Sequence, residues 1–378
     1  MTGNRLEVIE ESSTLRITNH ANELKAQGKD VISFSLGEPD FTTPRHICEA
    51  ATLSIGRGET HYTPNAGSPQ LRKAIAHKFQ NENNLDVSPS SVIVTPGAKQ
   101  AVFETILSTV AEGDEVITFD PSWVSYEPCV QLAGAKIVWA KTIPGKFTPD
   151  DVSQYVTKKT KLIIVNSPCN PSGAVFDKKD LQEIVDIAID HDITVMSDEI
   201  YEKIIYGKEH LSIGSFDGMA ERTVTVNGFS KAYAMTGWRL GYATAPPQIL
   251  NRMLKLQSHS TSGVSEFVQR GGVAALTGPQ QPLLDMIDVF RARRDLLVDG
   301  LNEIGITCRK PDGAFYAFAD VSAYGGGDAV ADKMLQKAYV ATTPGSAFGA
   351  SSRDYVRISY ATSTERIKEA LTRIEQVL

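Results

Sequence analysis

The stretch that decides the fold runs from Asn227 to Gly241 and reads NGFSKAYAMTGWRLG, with Lys231 near its centre. Alternating residues at 223–226 and 240–244 predict two short strands, and this stretch is the loop between them. Its small residues allow a flat ligand to approach Lys231 and exclude water from the amine. Loss of water lowers the pKa of an amine and makes it nucleophilic. An isolated lysine would be interpreted as an exposed loop residue, so the function of Lys231 depends on the rest of the chain.

The bulk composition predicts a soluble protein with more than one domain or one large domain with a satellite. The chain has 378 residues, of which 42% are hydrophobic and 22% charged, and its net charge is -7. The negative charge argues against nucleic acid or an anionic membrane as the main partner. No apolar run is long enough to span a bilayer, and the polar start does not resemble a signal peptide. We expect a cytoplasmic protein.

The residues that commonly bind metals show no metal-site spacing. Four cysteines are scattered along the chain without a CxxC pair: Cys48, Cys129, Cys169 and Cys308. This pattern predicts neither a disulfide framework nor a zinc site, and the seven histidines also lack ligand spacing. We therefore expect no bound metal and interpret the histidines as structural or surface residues. Glu199 and Glu202 are likewise expected to be surface charges.

A strand, a glycine and a helix start follow one another at residues 91–102. The strand is predicted at 91–95, Gly97 follows it, and the helix begins near Ala98. Free backbone N–H groups at a helix N-terminus bind phosphate, and the helix dipole adds a favourable potential. Lys99, in the first turn, opposes that dipole and requires an anion nearby. The pattern indicates a phosphate cradle.

Several further residues lie where a strand ends and a loop begins. Asp198 ends a buried strand, where a carboxylate is unfavourable unless a cation pairs with it. Trp123 follows a strand and a proline, a position where its ring can stack on a flat ligand, although tryptophan is usually core. Asn170 precedes Pro171 and is held extended. Tyr62 lies in a turn-rich loop and is equally compatible with a packing role.

Nine motifs in order carry a family resemblance over essentially the whole chain. They are LGEPDF, HYTPNAG, GAKQ, SWVSY, NSPCNPSG, SDEIYE, AMTGWRLGY, GAFY and VRISYATS. The chain resembles the class I and II aminotransferases, a pyridoxal-phosphate family of type I fold, and is most similar to their bacterial and archaeal aspartate branch. The resemblance implies an α/β large domain with a mainly parallel seven-stranded sheet between helices, and a smaller α+β domain. We expect the large domain at 44–281 and the small domain at 1–43 and 282–378.

The resemblance also implies how the cofactor, pyridoxal 5'-phosphate, is held. Lys231 is expected to be the attachment and proton-transfer residue, Asp198 the partner of the pyridine nitrogen, and Tyr201 the partner of the phenolic oxygen. The phosphate is expected to bind Ala98, Lys99, Ser230 and Arg239 of the same chain. It is also expected to bind Tyr62 of the second subunit of a homodimer.

Substrate contacts are implied in the same way. The family pattern places Gly37 and Asn170 near the substrate carboxylate, and Arg357 around the α-carboxylate with its bidentate fork. Trp123 covers the ring. Lys99 and Thr14 are expected at the far end of an acidic substrate.

The resulting hypothesis is an aminotransferase that moves an amino group between L-aspartate and 2-oxoglutarate by a ping-pong mechanism. Its partners are then small amino acids and 2-oxo acids. Alternatives on the same fold are transaminases for prephenate, aromatic or alanine-type substrates, or a β-lyase. A non-enzymatic cofactor-binding regulator is a further alternative, but the chain has no basic segment to spare for binding DNA.

Overall fold

The computed structural model describes the backbone of residues 5–9 and 13–378 and the side chains of residues 6, 7, 9 and 16–378. Its α-helices are α1 Ser13–Ala26, α2 Arg45–Gly56, α3 Pro69–Glu82, α4 Ala98–Thr109, α5 Tyr126–Leu132, α6 Lys178–Asp190, α7 Pro247–Ser260, α8 Glu266–Thr277, α9 Gln281–Glu303, α10 Gly327–Lys333 and α11 Thr364–Glu375. Its strands are β1 Ile32–Ser33, β2 Val92–Thr95, β3 Glu115–Asp120, β4 Lys136–Lys141, β5 Thr160–Asn166, β6 Thr194–Asp198, β7 Thr223–Gly228, β8 Gly241–Thr244, β9 Thr307–Cys308, β10 Tyr316–Asp320, β11 Val340–Ala341, β12 Thr343–Pro344 and β13 Tyr355–Ser359.

Local sequence explains where several helices begin. Ser68 caps α3 by accepting a hydrogen bond from a backbone N–H of the first turn, and Pro69 occupies the first helical position. At α6, Asp177 and Asp180 form a reciprocal capping box. In the part of the chain that the structure describes, no helix has both the length and the hydrophobicity needed to cross a bilayer.

Seven strands form one sheet in the order β2-β8-β7-β6-β5-β3-β4. Strands β4, β3, β5, β6 and β7 pair in parallel, whereas β8 runs antiparallel to both of its neighbours. The prediction of a mainly parallel seven-stranded sheet is confirmed. Because β2 and the five parallel strands point the same way, the loops that follow them gather at one edge, where open α/β sheets bind ligands.

The strand register brings the predicted site residues to that edge. Asn166 of β5 lies beside Asp198 of β6, which lies beside Val226 of β7. On the other side, Gly241 of β8 pairs with both Thr95 of β2 and Gly228 of β7. The carboxyl ends of β2, β5, β6 and β7 and the start of β8 therefore lie together at this edge.

The core lies on both faces of this sheet. In β5, Leu162 and Ile164 pack in a cluster with residues of α4, α5 and α7. The intervening Ile163 and Val165 pack in a second cluster with residues of α6. A continuous apolar strand is the pattern expected of a sheet covered by helices on both faces, and residues 162–165 of β5 have this pattern.

A smaller sheet is formed by the C-terminal part of the chain. Strands β12-β13-β10-β9 pair antiparallel, and Arg357 of β13 lies opposite Phe318 of β10. Near them, β1 pairs in parallel with β11, which joins residues 32–33 to residues 340–341. The long helix α9 packs against α11. Arg357 thus approaches the large sheet from the smaller sheet, which the C-terminal part of the chain forms.

The prediction that Glu199 and Glu202 are surface charges is wrong. Both are buried behind the β6 edge, where Asn83 donates to Glu199 at 3.0 Å and to Glu202 at 2.7 Å. Lys78 forms a buried ion pair with Glu202, and Nε2 of the mostly buried His210 lies 3.0 Å from a Glu199 oxygen. The partners are distant in sequence, and their pairing makes burial of the two carboxylates possible.

Candidate active site

A cavity of about 270 Å³ opens at the edge where the strand ends meet. The predicted site residues that line it are Gly37, Ala98, Lys99, Trp123, Asn170, Asp198, Tyr201, Ser230, Lys231, Arg239 and Arg357. Two predicted residues are not among them. Tyr62 lies on a separate surface loop, and the side chain of Thr14 is outside the described residues. Residues from six strand ends and from the smaller sheet thus share one cavity.

Lys231 follows β7 in the loop that leads to β8, as its flanking strands predict. Its Nζ donates a hydrogen bond to the backbone oxygen of Gly37 at 2.6 Å. Burial, together with the nearby cations Arg239 and Arg357, lowers the pKa of this amine to about 8. With that pKa, about a tenth of the amine is uncharged at neutral pH, far more than for an ordinary lysine.

The lowered pKa of Lys231 predicts that, in the cofactor-free protein, this amine reacts at a lower pH than an ordinary lysine. The uncharged amine should appear as the pH rises past 8, rather than past about 10.4 as in an ordinary lysine. We expect acetylation by a small anhydride at Lys231, followed by peptide mass spectrometry, to reach half its limiting rate near pH 8. A short lysine peptide in the same tube is the reference. Equal pH profiles for the peptide and Lys231 would contradict the account.

Asp198 is a buried carboxylate with hydrogen bonds but no ion pair among the described side chains. It is 4% exposed at the end of β6. Tyr126 donates to its Oδ2 at 2.7 Å, and the backbone N–H of Ile200 donates to its Oδ1 at 3.3 Å. Burial raises its pKa to about 6. A protonated ring nitrogen in the cavity would provide the missing cation, as the pyridoxal-phosphate ring requires.

Asn166 connects two of the strand ends. Its Oδ1 accepts from the backbone N–H of Asn170 at 2.9 Å, and its Nδ2 donates to the backbone oxygen of Asp198 at 2.9 Å. Both side-chain groups of this buried amide are therefore satisfied by backbone. Asn166 fixes the turn that presents the Asn170 side chain relative to the Asp198 carboxylate.

The strand, the glycine turn and the helix start predicted at residues 91–102 are present. Gly97 has a φ of +85°, and α4 begins directly after it at Ala98. A side chain at Gly241 would lie 2.2 Å from the Ala98 nitrogen, so this glycine permits the close approach of β8. A side chain at Gly97 would meet the guanidinium of Arg239 at 2.5 Å. Ser230 also lines the cavity.

These groups suit a phosphate. Arg239 donates to the backbone oxygen of Thr236 at 3.0 Å, and none of the described carboxylates forms an ion pair with it. An arginine without an acidic partner, a serine hydroxyl and a helix N-terminus provide donors and positive potential without a negative group. The cradle therefore fits the phosphate of the expected cofactor.

Arg357 is 3% exposed and reaches the cavity from the smaller sheet. It donates to Oδ1 of Asn170 at 2.9 Å and to the backbone oxygen of Ser35 at 2.7 Å. Its guanidinium lies over the rings of Tyr316 and Phe348, 4.6 and 4.9 Å from their centres. It forms no ion pair with a described carboxylate. A buried guanidinium without an acid is suited to binding the carboxylate of a ligand.

Lys99, like Arg239 and Arg357, is a cation in this cavity without an acidic partner among the described side chains. Its Nζ lies 5.1 Å from the centre of the Trp123 ring. Partial burial lowers the pKa of the Lys99 amine. Trp123 is held by an edge-to-face contact with Tyr126, with ring centres 5.3 Å apart. The tryptophan thus has a fixed ring in the cavity wall beside a cation that can bind an anion.

Three residues of the site were missed by the sequence reasoning: Tyr126, Asn166 and Tyr316. Tyr126 and Tyr316 belong to the SWVSY and GAFY motifs, so the motifs provided a signal. Their partners, Asp198 and Tyr201, are 72 and 115 residues away along the chain. Only the assembled sheet shows what each hydroxyl touches.

Comparisons with protein families and known proteins agree on the family of this chain. The family model described as aminotransferase class I and II matches residues 29–374. The chain is 45% identical over 364 residues to the aspartate aminotransferase of Pyrococcus abyssi, covering 94% of each protein. It is 42% identical over 380 residues to the aspartate/prephenate aminotransferase of Thermus thermophilus, covering 99% of this chain and 98% of that one.

A solved structure gives the corresponding match in three dimensions. The aspartate aminotransferase of Thermus thermophilus, determined with maleate, has a TM-score of 0.95 and 41% identity over the full length of both chains. Sequence family, fold and the chemistry of the cavity agree. The chain belongs to the class I and II aminotransferases and is a pyridoxal-phosphate-dependent enzyme of type I fold.

Proposed function

We propose that this aminotransferase moves the amino group of L-aspartate to 2-oxoglutarate in two half-reactions. The observation that carries the proposal is the pair of cations, Arg357 and Lys99, in one cavity without acidic partners among the described side chains. Aspartate and glutamate each have two carboxylates, and so do their 2-oxo acids. One carboxylate of each substrate suits the buried fork of Arg357, and the other suits the more accessible ammonium of Lys99.

The cofactor is positioned by residues of the large sheet. When bound, pyridoxal phosphate supplies a ring that accepts the electron pair left when the substrate Cα loses its proton. The start of α4, Ser230 and Arg239 would bind its phosphate. Asp198 would keep the proton on the ring nitrogen, Tyr201 and Asn170 would bind the phenolic oxygen, and Trp123 would cover the ring. Each of these side chains lines the cavity.

Lys231 holds and moves the proton. Its amine is deprotonated to a useful extent near neutral pH because burial lowers its pKa to about 8. When it is not bonded to the cofactor, this amine would take the proton from the substrate Cα and, as the resulting ammonium, would give it up to the cofactor's aldehyde carbon. One flexible side chain therefore serves as base and then as acid.

Removal of the Lys99 ammonium tests the choice of substrate. In Lys99→Ala we expect kcat/KM for aspartate to fall about 10- to 100-fold, the value of a hydrogen bond to a charged group. Alanine and phenylalanine have no second carboxylate, so their kcat/KM should change less than about threefold on the same grounds. The rates are measured with 2-oxoglutarate as the common acceptor.

Arg357→Lys is the matched control for that experiment. It retains a charge but loses the bidentate fork, so kcat/KM should fall for acidic and neutral amino acids alike. An equal loss of kcat/KM for aspartate and alanine in Lys99→Ala would show that Lys99 does not bind the side-chain carboxylate of the substrate. That result would contradict the proposal.

The same two cations leave a second candidate substrate. Prephenate and its amino acid, arogenate, also have two carboxylates, and the relative from Thermus thermophilus is named for both aspartate and prephenate. Amino transfer from arogenate that depends on Lys99 would make the enzyme dual. Release of a 2-oxo acid and ammonia without an acceptor would instead identify a β-lyase.

We propose that the enzyme works as a homodimer in which Tyr62 reaches the cofactor phosphate of the partner subunit. Tyr62 is 97% exposed, although the loop that carries it is anchored by a hydrogen bond of 2.9 Å from Thr63 to the backbone of Val264. A tyrosine that is fully exposed on a fixed loop is typical of a residue that a partner covers. The geometry of the single chain explains why Tyr62 does not line its own cavity.

Mixed dimers test the shared site. Tyr62→Ala and Lys231→Ala are each expected to have low activity at limiting cofactor. In a mixed dimer, one site carries both changes and the other carries neither. After denaturation and refolding of an equal mixture, about a quarter of the sites should be intact, because half of the dimers are mixed. Activity that stays at the level of the separate variants would contradict a shared site.

We also propose the division into a large domain at 44–281 and a small domain at 1–43 and 282–378. The pairing of β1 with β11 supports it, because that pairing joins residues near the N-terminus to the C-terminal part.

A cytoplasmic location is proposed as well. It is supported by four free cysteines, two of them buried, which suit a reducing compartment.

A further inference from the structure

Two tyrosine hydroxyls meet in the wall of the cavity. The oxygens of Tyr201 and Tyr316 lie 2.7 Å apart, and both side chains are buried. Tyr201 follows β6 of the large sheet, whereas Tyr316 begins β10 of the smaller sheet. The function proposed above uses Tyr201 as the partner of the cofactor's phenolic oxygen and leaves Tyr316 without a role.

The number of protons gives this hydroxyl pair a direction. A tyrosine hydroxyl has one proton to donate and can accept through its lone pairs. If Tyr201 donates its proton to the phenolic oxygen, the bond between the two tyrosines must use the proton of Tyr316. The order is then from Tyr316 to Tyr201 to the cofactor. In such a chain each bond polarises the next, so Tyr201 becomes a stronger donor.

Arg357 acts on the first member of this chain. Its guanidinium carbon lies 4.6 Å from the centre of the Tyr316 ring. A cation over the ring stabilises the negative charge that builds up on the hydroxyl oxygen as it donates, which strengthens Tyr316 as a donor. A substrate carboxylate on Arg357 neutralises that cation and weakens the effect. Binding of a carboxylate to Arg357 therefore changes how strongly the Tyr201 hydroxyl donates its proton.

The position of the Tyr316 hydroxyl is narrowly determined. A side chain at Gly37 would lie 2.4 Å from the Tyr316 oxygen, so only glycine leaves room for it there. The Tyr316 ring also packs edge-to-face on Tyr201, with centres 5.7 Å apart. A hydroxyl held by packing on these sides has little freedom to change its partner.

We propose that Tyr316 is a positioning residue that orients the Tyr201 proton towards the phenolic oxygen and couples this bond to the occupancy of Arg357. The proposal rests on the proposed function, since it assumes that Tyr201 donates to the cofactor's phenolic oxygen and that a substrate carboxylate binds Arg357. It assigns Tyr316 an effect on the cofactor that passes through another side chain and therefore differs from direct contact with substrate.

The experiment compares Tyr316→Phe with a matched control, Tyr360→Phe. Tyr360 is also buried and donates to a second tyrosine, Tyr206, at 3.5 Å, but it does not line the cavity. For each protein loaded with cofactor, the visible absorbance is titrated with pH, without and with saturating maleate. Maleate is the probe because it has two carboxylates and no amino group.

In Tyr316→Phe the pH midpoint of the absorbance should rise by about 0.5 to 1 unit, the equivalent of one hydrogen bond. A weaker donor at Tyr201 leaves more negative charge on the phenolic oxygen. The proton on the nitrogen that joins Lys231 to the cofactor is then held more tightly. The change of midpoint caused by maleate should become smaller, because the path through Tyr316 is lost. Tyr360→Phe should alter neither value.

Three further variants separate a relay from a loss of packing. Tyr201→Phe should raise the midpoint at least as far as Tyr316→Phe, and the double variant should match Tyr201→Phe because the relay has lost its receiver. Gly37→Ala, which displaces the Tyr316 hydroxyl, should shift the midpoint in the same direction. Thermal unfolding of the cofactor-free proteins checks that each variant folds.

An unchanged midpoint in folded Tyr316→Phe, or fully additive shifts in the double variant, would overturn the proposal. A failure of the proposed function has a different signature. In that case the unmodified enzyme would fail to transaminate aspartate, whereas the midpoints of the variants would still report on the tyrosine pair.

Discussion

Lys231→Ala is expected to lower kcat for amino transfer by about 10⁴-fold or more, because it removes both the attachment amine and the acid–base group. No other described lysine both lines the cavity and donates to Gly37. The phosphate cradle, Asp198 and Arg357 are untouched by the change, so the variant should still bind cofactor and maleate. The measurement is single-turnover conversion of the cofactor by aspartate in a stopped-flow spectrometer.

Lys231→Arg is the control for the charge. Arginine keeps the positive charge but stays protonated at any usable pH, so it cannot take the proton from the substrate. Its rate should be as low as that of Lys231→Ala. Substantial activity in either variant would show that the proton is moved by another group.

Asp198→Asn is expected to lower kcat by about 10²- to 10³-fold, the range for removing one preorganised electrostatic partner. Asparagine has nearly the same shape, and its oxygen can still accept from Tyr126. It cannot stabilise a proton on the ring nitrogen, so the ring withdraws electrons less strongly.

The same variant should make the cofactor-free protein more stable at alkaline pH. Burial raises the pKa of Asp198 to about 6, so the folded protein binds this proton more tightly than the unfolded chain. The group therefore favours the folded state below about pH 4, and this contribution is lost as the pH rises through 6. At pH 8 the buried charge costs on the order of 3 kcal/mol by that shift, and asparagine removes the cost.

Thermal unfolding of the cofactor-free proteins at pH 4.5 and pH 8 measures this effect. Asp198→Asn should melt higher than the unmodified protein at pH 8, and the difference should shrink at pH 4.5. Lower stability at pH 8 together with full activity would show that Asp198 is a structural residue instead of a site carboxylate.

Much of the site could be predicted from sequence because its residues follow strand ends. The alternating segments around Lys231, the strand before Asp198 and the Gly97 turn before α4 are local patterns. Parallel strands then bring such patterns to one edge whatever their separation along the chain. The structure places all three of these at the same cavity.

The parts that could not be predicted depend on contacts between distant segments. Glu199 resembles a surface charge until Asn83 and His210, more than ten residues away on either side, are brought against it. Tyr316 resembles a core aromatic until the smaller sheet presents its hydroxyl to Tyr201. Neither pairing has a local period or a turn residue that would reveal it.

One measurement tests the central claim most directly: aspartate alone is added to the purified enzyme loaded with cofactor, and 2-oxoglutarate follows. We predict that aspartate converts the visible spectrum from the aldehyde form to the amine form of the cofactor within one turnover. We predict that 2-oxoglutarate then restores it, and that Lys99→Ala slows both steps. An unchanged spectrum with aspartate, cysteine sulfinate, alanine, phenylalanine and arogenate, despite bound cofactor, would contradict amino transfer by this site.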